Sequence, residues 1–146
     1  EAEKSPKAKV SHHRLHEDFE GIDETIAMSS MYAANHLGAK VVATLTQTGK
    51  TALWMSRISS NISIFAMSDN YKTLKKVTIY RGVYPCYIEK NSADDWNDVN
   101  SKVIENLLSK SVVVDKDIVI VTKGMHKDKS GGTNLMKILR VGDGNY

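Results

Sequence analysis

From residue 22 onward, apolar positions fall into short blocks that alternate between helical and strand spacing. Ile22, Ile26, Ser29, Ala33 and Leu37 recur at helical intervals. Asp23 and Glu24 stand in the first turn, where carboxylates suit the helix dipole. Gly38 predicts the C-terminal stop. Residues 39–46 form a short β-rich apolar run, the pattern of a buried strand. Thr48-Gly49-Lys50-Thr51 predicts a turn, and 52–58 a short helix. A second strand is expected over 62–67, then a helix over 70–78 capped by Asp69 or Ser68. A third strand covers 83–88, after the break at Gly82. The clearest helix is 94–110, with Trp96, Val99, Val103 and Leu107 on one stripe. Residues 117–122 predict a fourth strand and 123–132 a polar, glycine-containing loop. Residues 134–141 alternate Leu135, Lys137, Leu139 and Val141 against Met136, Ile138 and Arg140, the pattern of a final edge strand.

Strands that alternate with helices predict the α/β class. The expectation is three α/β/α layers around a mostly parallel five-stranded sheet. The last two strands have no helix between them, so the last should run antiparallel. Residues 1–20 are polar and aperiodic, and predict a linker or tail; 21–146 predict the folded domain.

Composition narrows the function classes. The chain has 146 residues, 41% hydrophobic and 25% charged, an ordinary balance for one globular domain. One cysteine, Cys86, excludes an internal disulfide framework and a cysteine-based zinc site. No apolar run approaches the roughly 20 residues of a membrane span, and no signal-peptide core is visible at the start. A cytoplasmic location without membrane contact is therefore the expectation. The formal net charge of +3 suits anionic ligands. Nucleic acid is disfavoured, because the basic residues are split between the two ends and lack interleaved aromatics.

The strongest local signal is Thr46-Gln47-Thr48-Gly49-Lys50-Thr51, between a predicted strand and a predicted helix. Hydroxyls, a lysine and free backbone N–H groups at such a turn make an anion site. The last three letters match the end of a phosphate-binding Walker A motif, whose first glycine would fall on Thr44. The 117–122 strand also lacks an aspartate at its end to hold magnesium. Phosphate binding without nucleotide hydrolysis fits better; the plain alternative is a capped turn with a solvated lysine. A second signal is Lys127, Lys129, Ser130, Gly131, Gly132, Thr133 and Asn134. Adjacent glycines allow close backbone approach, and the flanking side chains can donate to phosphate oxygens. Alone it is an ordinary flexible loop, but both loops should open on one sheet edge.

Other residues read more simply. His12, His13 and His16 lack a third ligand and fit a solvated tail better than a metal site. His36 reads as a polar group at a helix end, and Cys86 as a buried thiol. Asp94, Asp95 and Asp98 are explained by a helix start. Arg81 suits a salt bridge or a subunit contact.

Several ordered motifs together resemble one family. They are Ala27-Met28-Ser29-Ser30-Met31-Tyr32-Ala33-Ala34-Asn35-His36-Leu37, Thr46-Gln47-Thr48-Gly49-Lys50-Thr51-Ala52 and Met55-Ser56-Arg57-Ile58-Ser59-Ser60. Ile64-Phe65-Ala66-Met67-Ser68, Tyr80-Arg81-Gly82-Val83-Tyr84-Pro85, Asp117-Ile118-Val119-Ile120-Val121-Thr122 and Ser130-Gly131-Gly132-Thr133-Asn134 continue the series. From about residue 11 to 141 the chain resembles the C-terminal domain of pyruvate kinases, closest to the bacterial type activated by AMP and sugar monophosphates. The resemblance implies a regulatory domain that binds a phosphorylated effector and helps assemble a tetramer. Catalysis, with its magnesium and potassium, belongs to a separate barrel in that family, so this chain alone should be inactive and need no cofactor. By the same resemblance the effector phosphate sits on Thr46, Gln47, Thr48, Gly49, Lys50 and Thr51. Lys129, Ser130, Gly131, Gly132 and Thr133 match the loop that folds over the effector. Trp96 and Lys102 are the nearest candidates for a second contact. Their spacing is off by one and the expected arginine is missing, which favours a monophosphate over a bisphosphate. A freestanding phosphate-binding or assembly module without a barrel is the alternative.

Overall fold

The computed structural model describes residues 18–89, 96–124, 132–144 and 146; at Trp96 and Asn97 it describes the backbone alone. In chain order the elements are α1 (Ile22–Leu37), β1 (Val41–Leu45), α2 (Lys50–Ser56), β2 (Ser63–Ser68) and α3 (Tyr71–Val77). They continue with β3 (Val83–Tyr87), α4 (Trp96–Ser109), β4 (Ile118–Gly124) and β5 (Thr133–Arg140). The five strands lie in the order β3-β2-β1-β4-β5. All neighbours are parallel except β4 and β5, which run antiparallel, as the missing helix between them predicts.

Alternation along each strand feeds two cores. Val41, Ala43, Met67, Cys86, Val119, Val121 and Leu139 face Val103, Ile104 and Leu107 of α4. Val42, Ile64, Ala66, Val83 and Ile120 face the other way. There they meet Ala27, Met31 and Ala34 of α1, Ala52 and Met55 of α2, and Val77 of α3. Both sheet faces are therefore covered, which is why the inner strands read as nearly continuous apolar runs. The result is the expected α/β/α sandwich. The α4 stripe also stands: Val99, Val103 and Leu107 are buried. The Trp96 side chain lies outside the described residues.

Two expectations change. The helical stripe of α1 is real, but its two ends and Ser29 face solvent, while Ile26 and Ala33 are half-buried. Ile22 is 68% exposed and Leu37 48%, and Ser29 is exposed with them. The buried face is Ala27, Met28, Met31 and Ala34, together with Asp23, Glu24 and Ser30. Small residues let the helix lie close to the sheet, and two of the polar members are satisfied locally. Ser30 donates to the Ile26 carbonyl at 2.6 Å, and Glu24 accepts from the Glu20 amide at 2.9 Å. Counting hydrophobicity thus selects the wrong side. The cap of α3 is Asn70, whose side chain accepts from the Lys72 amide at 3.0 Å. Ser68 instead accepts from the Asn70 amide, and Asp69 from Gln47.

Ends also shift by small amounts. The loop expected to begin at Lys123 starts later, because β4 continues through Lys123 and Gly124. Gly124 pairs with Thr133 across a ladder irregularity. A Cβ on Gly124 would come 2.5 Å from the Gly132 carbonyl oxygen, so only glycine fits where the two strands close together. Residues 125–131 lie outside the described residues, as does the expected tail over 1–17.

Candidate effector site

β1 and β4 are neighbours, yet the chain leaves β1 towards β2 and β3 on one side and leaves β4 towards β5 on the other. Ligands in open α/β sheets sit over such a divergence, outside the carboxyl ends of the strands. The loop that follows β1 is Thr46 to Gly49, and the segment between β4 and β5 ends at Gly132. The first loop singled out in the sequence and the described end of the second, Gly132 to Asn134, therefore lie at this one crevice.

The first loop is held from several directions. The Thr46 amide donates to the Met67 carbonyl at 3.0 Å, which keeps the loop's start on the sheet. The buried Thr46 hydroxyl accepts from the Gly49 amide at 2.9 Å, closing the turn. The Thr48 hydroxyl lies 3.4 Å from the Lys50 amide, a long contact. Helix α3 takes the outward carbonyls: Thr73 donates its hydroxyl to Gln47, and the Lys76 ammonium donates to Thr48 at 3.2 Å. Gly49 is left-handed, with φ 78° and ψ 3°. A Cβ there would also lie 2.8 Å from Cγ1 of Val77. Both the turn and its seat on α3 require glycine.

α2 begins directly after Gly49 and carries no side-chain cap. Its first intrahelical bond runs from the Leu53 amide to the Gly49 carbonyl, at 3.0 Å. The amides before Leu53 are the donors a helix start leaves over. Thr51 joins the two loops: its hydroxyl lies 2.7 Å from that of Thr133, and both residues are buried. Lys50 is 48% exposed, with its ammonium 3.0 Å from Oδ2 of Asp23, an α1 residue that is 8% exposed. Beneath the crevice, Thr44 of β1 and Thr122 of β4 are register partners. Both are fully buried, and neither hydroxyl has a hydrogen-bond partner among the described residues.

Thr46, Gln47, Thr48 and Gly49 thus form the loop after β1, Lys50 and Thr51 open α2, and Thr133 meets Thr51 at their side. Lys129, Ser130 and Gly131 lie outside the described residues. Lys102 is half-buried on α4, the layer opposite α1 and α2. Sequence reasoning missed Thr73 and Lys76, which hold the loop, and the pairing of Asp23 with Lys50. Nothing in local spacing links residues 26 to 28 positions apart, and Asp23 already had a sufficient explanation in the helix dipole.

The remaining candidates have structural roles. His36 approaches the Tyr32 carbonyl through Nδ1 at 2.8 Å and stacks on the Tyr32 ring at 4.0 Å. Cys86 is buried and donates to Oδ1 of Asn106 at 3.0 Å. Burial pushes its thiol up, with the Lys110 charge pulling slightly the other way. Arg81 reaches towards the Ile58 carbonyl. His12, His13, His16, Asp94, Asp95 and His126 lie outside the described residues. Among the described residues, no three His, Cys, Asp or Glu side chains converge as a metal site, and no helix is long and apolar enough to cross a membrane.

Residues 24–139 match the family model described as pyruvate kinase, alpha/beta domain. A pyruvate kinase of Buchnera aphidicola from Schizaphis graminum is 48% identical over 141 residues, 96% of this chain. Pyruvate kinase II of Salmonella typhimurium is 45% identical over the same length. A pyruvate kinase of Haemophilus influenzae is 45% identical over 125 residues, 84% of this chain. The chain spans 29% of the length of the first two relatives and 26% of the third. With the matched segment running from the first turn of α1 into β5, this chain belongs to the pyruvate kinase family and carries its C-terminal alpha/beta domain.

Proposed function

We propose that this chain is the regulatory part of a pyruvate kinase that converts phosphoenolpyruvate and ADP to pyruvate and ATP in the cytoplasm. In this reading the chain binds the phosphate of a sugar monophosphate or AMP, and its partner is the catalytic barrel of the same enzyme. Magnesium and potassium serve that barrel, and this chain is not catalytic alone. The phosphate rests on Thr46, Gln47, Thr48, Gly49, Lys50 and Thr51, while Lys129, Ser130, Gly131, Gly132 and Thr133 fold over it. Trp96 or Lys102 supplies any second contact.

The observation that carries this reading is the 2.7 Å contact between the Thr51 and Thr133 hydroxyls. It couples the phosphate loop to the closing loop, so a ligand that orders one biases the other. Effector binding then shifts the population of the parent tetramer, provided the active state binds the effector more tightly. The outward stripe of α1, with Ile22, Tyr32 and Leu37 exposed, supports the assembly role.

A thermal shift series tests the binding. The ligands are AMP, ribose 5-phosphate, glucose 6-phosphate, fructose 1,6-bisphosphate and inorganic phosphate. Ligand at about 100 times its Kd adds roughly 2.7 kcal/mol, a rise of about 5–11 °C at this length. The expected result is a selective shift by one monophosphate, abolished in Thr48→Ala/Lys50→Ala. No shift by any of the five would favour the alternative in which the chain serves assembly alone.

A further inference from the structure

The loop proposed above to take a phosphate already has an anion beside its lysine. Asp23 Oδ2 lies 3.0 Å from the Lys50 ammonium. We propose that Asp23 is an internal competitor for Lys50, a carboxylate that engages the ammonium until a phosphate draws it away, and so sets the affinity of the site. This inference rests on the phosphate reading of residues 46–51.

The two partners are unequally held. Asp23 is 8% exposed and Lys50 48%, so the carboxylate is fixed while the ammonium keeps access to solvent. The Asp23 carboxylate lies over Gly21, with Oδ1 2.9 Å from where a Cβ on that residue would stand. Its charge is also supported without the lysine, because Asp23 stands in the first turn of the 16-residue α1. The contact is Coulombic and loosely directed: among the described residues, Asp23 Oδ2 accepts no well-aligned hydrogen bond. Glu24 beside it is different, since it accepts from the Glu20 amide at 2.9 Å. Lys50 can therefore leave Asp23 without breaking an aligned hydrogen bond, whereas an arriving phosphate offers it several strong acceptor oxygens. Binding must still overcome the attraction of Lys50 to Asp23 and the repulsion between Asp23 and the ligand. Both effects have the same sign.

Replacing the carboxylate with a neutral isostere removes both. Asp23→Asn should tighten binding about two- to fivefold, the range expected for one partly exposed charge pair. The test is calorimetric titration of the 146-residue chain with ribose 5-phosphate and with inorganic phosphate, at low fixed ionic strength. Wild type, Asp23→Asn, Lys50→Ala and the double variant are compared, with thermal melts confirming that each is folded. Tighter binding by Asp23→Asn, with a smaller effect of the same change in the Lys50→Ala background, where only the repulsion between Asp23 and the ligand is left, supports the proposal; an equal effect in both backgrounds overturns it. Unchanged or weaker binding by Asp23→Asn, while Lys50→Ala still weakens binding, overturns it and leaves the phosphate site standing. Binding that is absent in wild type, or indifferent to Lys50→Ala, overturns the site and the proposal together. Should Asp23→Asn fail to fold, the wild-type chain gives a separate readout. The Lys50 ammonium resonance in a ¹⁵N-lysine-labelled sample must move as ribose 5-phosphate saturates the site, and a resonance unmoved at saturation overturns the proposal.

Discussion

Gly49 meets two constraints that arise from different parts of the chain. Its φ of 78° belongs to the turn itself, and its contact with Val77 belongs to the packing of α3. Gly49→Ala should therefore cost about 2–4 kcal/mol, from left-handed backbone strain and overpacking together. Urea unfolding of the chain measures it, and a cost below about 1 kcal/mol would mean that the Val77 contact relaxes. The turn alone was legible, because Thr48-Gly49-Lys50-Thr51 is a turn signal between a strand and a helix. The contact was not, because Val77 is 28 positions away. The same limit applies to the hydroxyls. Thr46 and Thr48 close the turn locally, so their roles follow from spacing. Thr44 and Thr122 face each other without partners only because β1 lies beside β4.

Helices and strands were readable wherever one face is apolar and the ends carry a recognisable stop. Gly38 ends α1 at φ 64°, as its position predicts, and its amide bonds the Ala34 carbonyl. The orientation of α1 was not readable. Two faces compete on that helix, and the one that carries Ile22 and Leu37 is the outer one. The link between α2 and β5 is likewise a property of two elements rather than one. It is the Thr51–Thr133 contact. Replacing each threonine with valine, singly and together, should give a coupling of about 0.5–1.5 kcal/mol in a double-mutant cycle. Denaturant unfolding of the four proteins measures it. Additive costs would show that the hydroxyls meet without stabilising one another, and would remove the coupling on which communication between the loops depends.

The order β3-β2-β1-β4-β5 brings the start of α2 and the start of β5 together although more than 80 positions separate Thr51 from Thr133. It also leaves the α1 stripe on the outside. If that face joins copies of the parent enzyme, it should be sticky in the chain alone. Sedimentation should show concentration-dependent self-association that Leu37→Lys weakens, a change that suits the C-terminal end of a helix. Equal sedimentation of the two proteins across concentrations would remove α1 from the interface. Local periodicity, turn residues and the missing last helix were enough to specify the class, the number of strands and the antiparallel end, because backbone geometry imposes those patterns over a few residues. They also singled out residues 46–51 as the candidate anion site, because its hydroxyls, glycine and lysine are consecutive. Which face of α1 is buried, which side chains brace the loop from α3 and which carboxylate holds Lys50 were assigned only by packing. Those contacts join residues far apart in the chain, and their distances exist only once the helices are laid on the sheet.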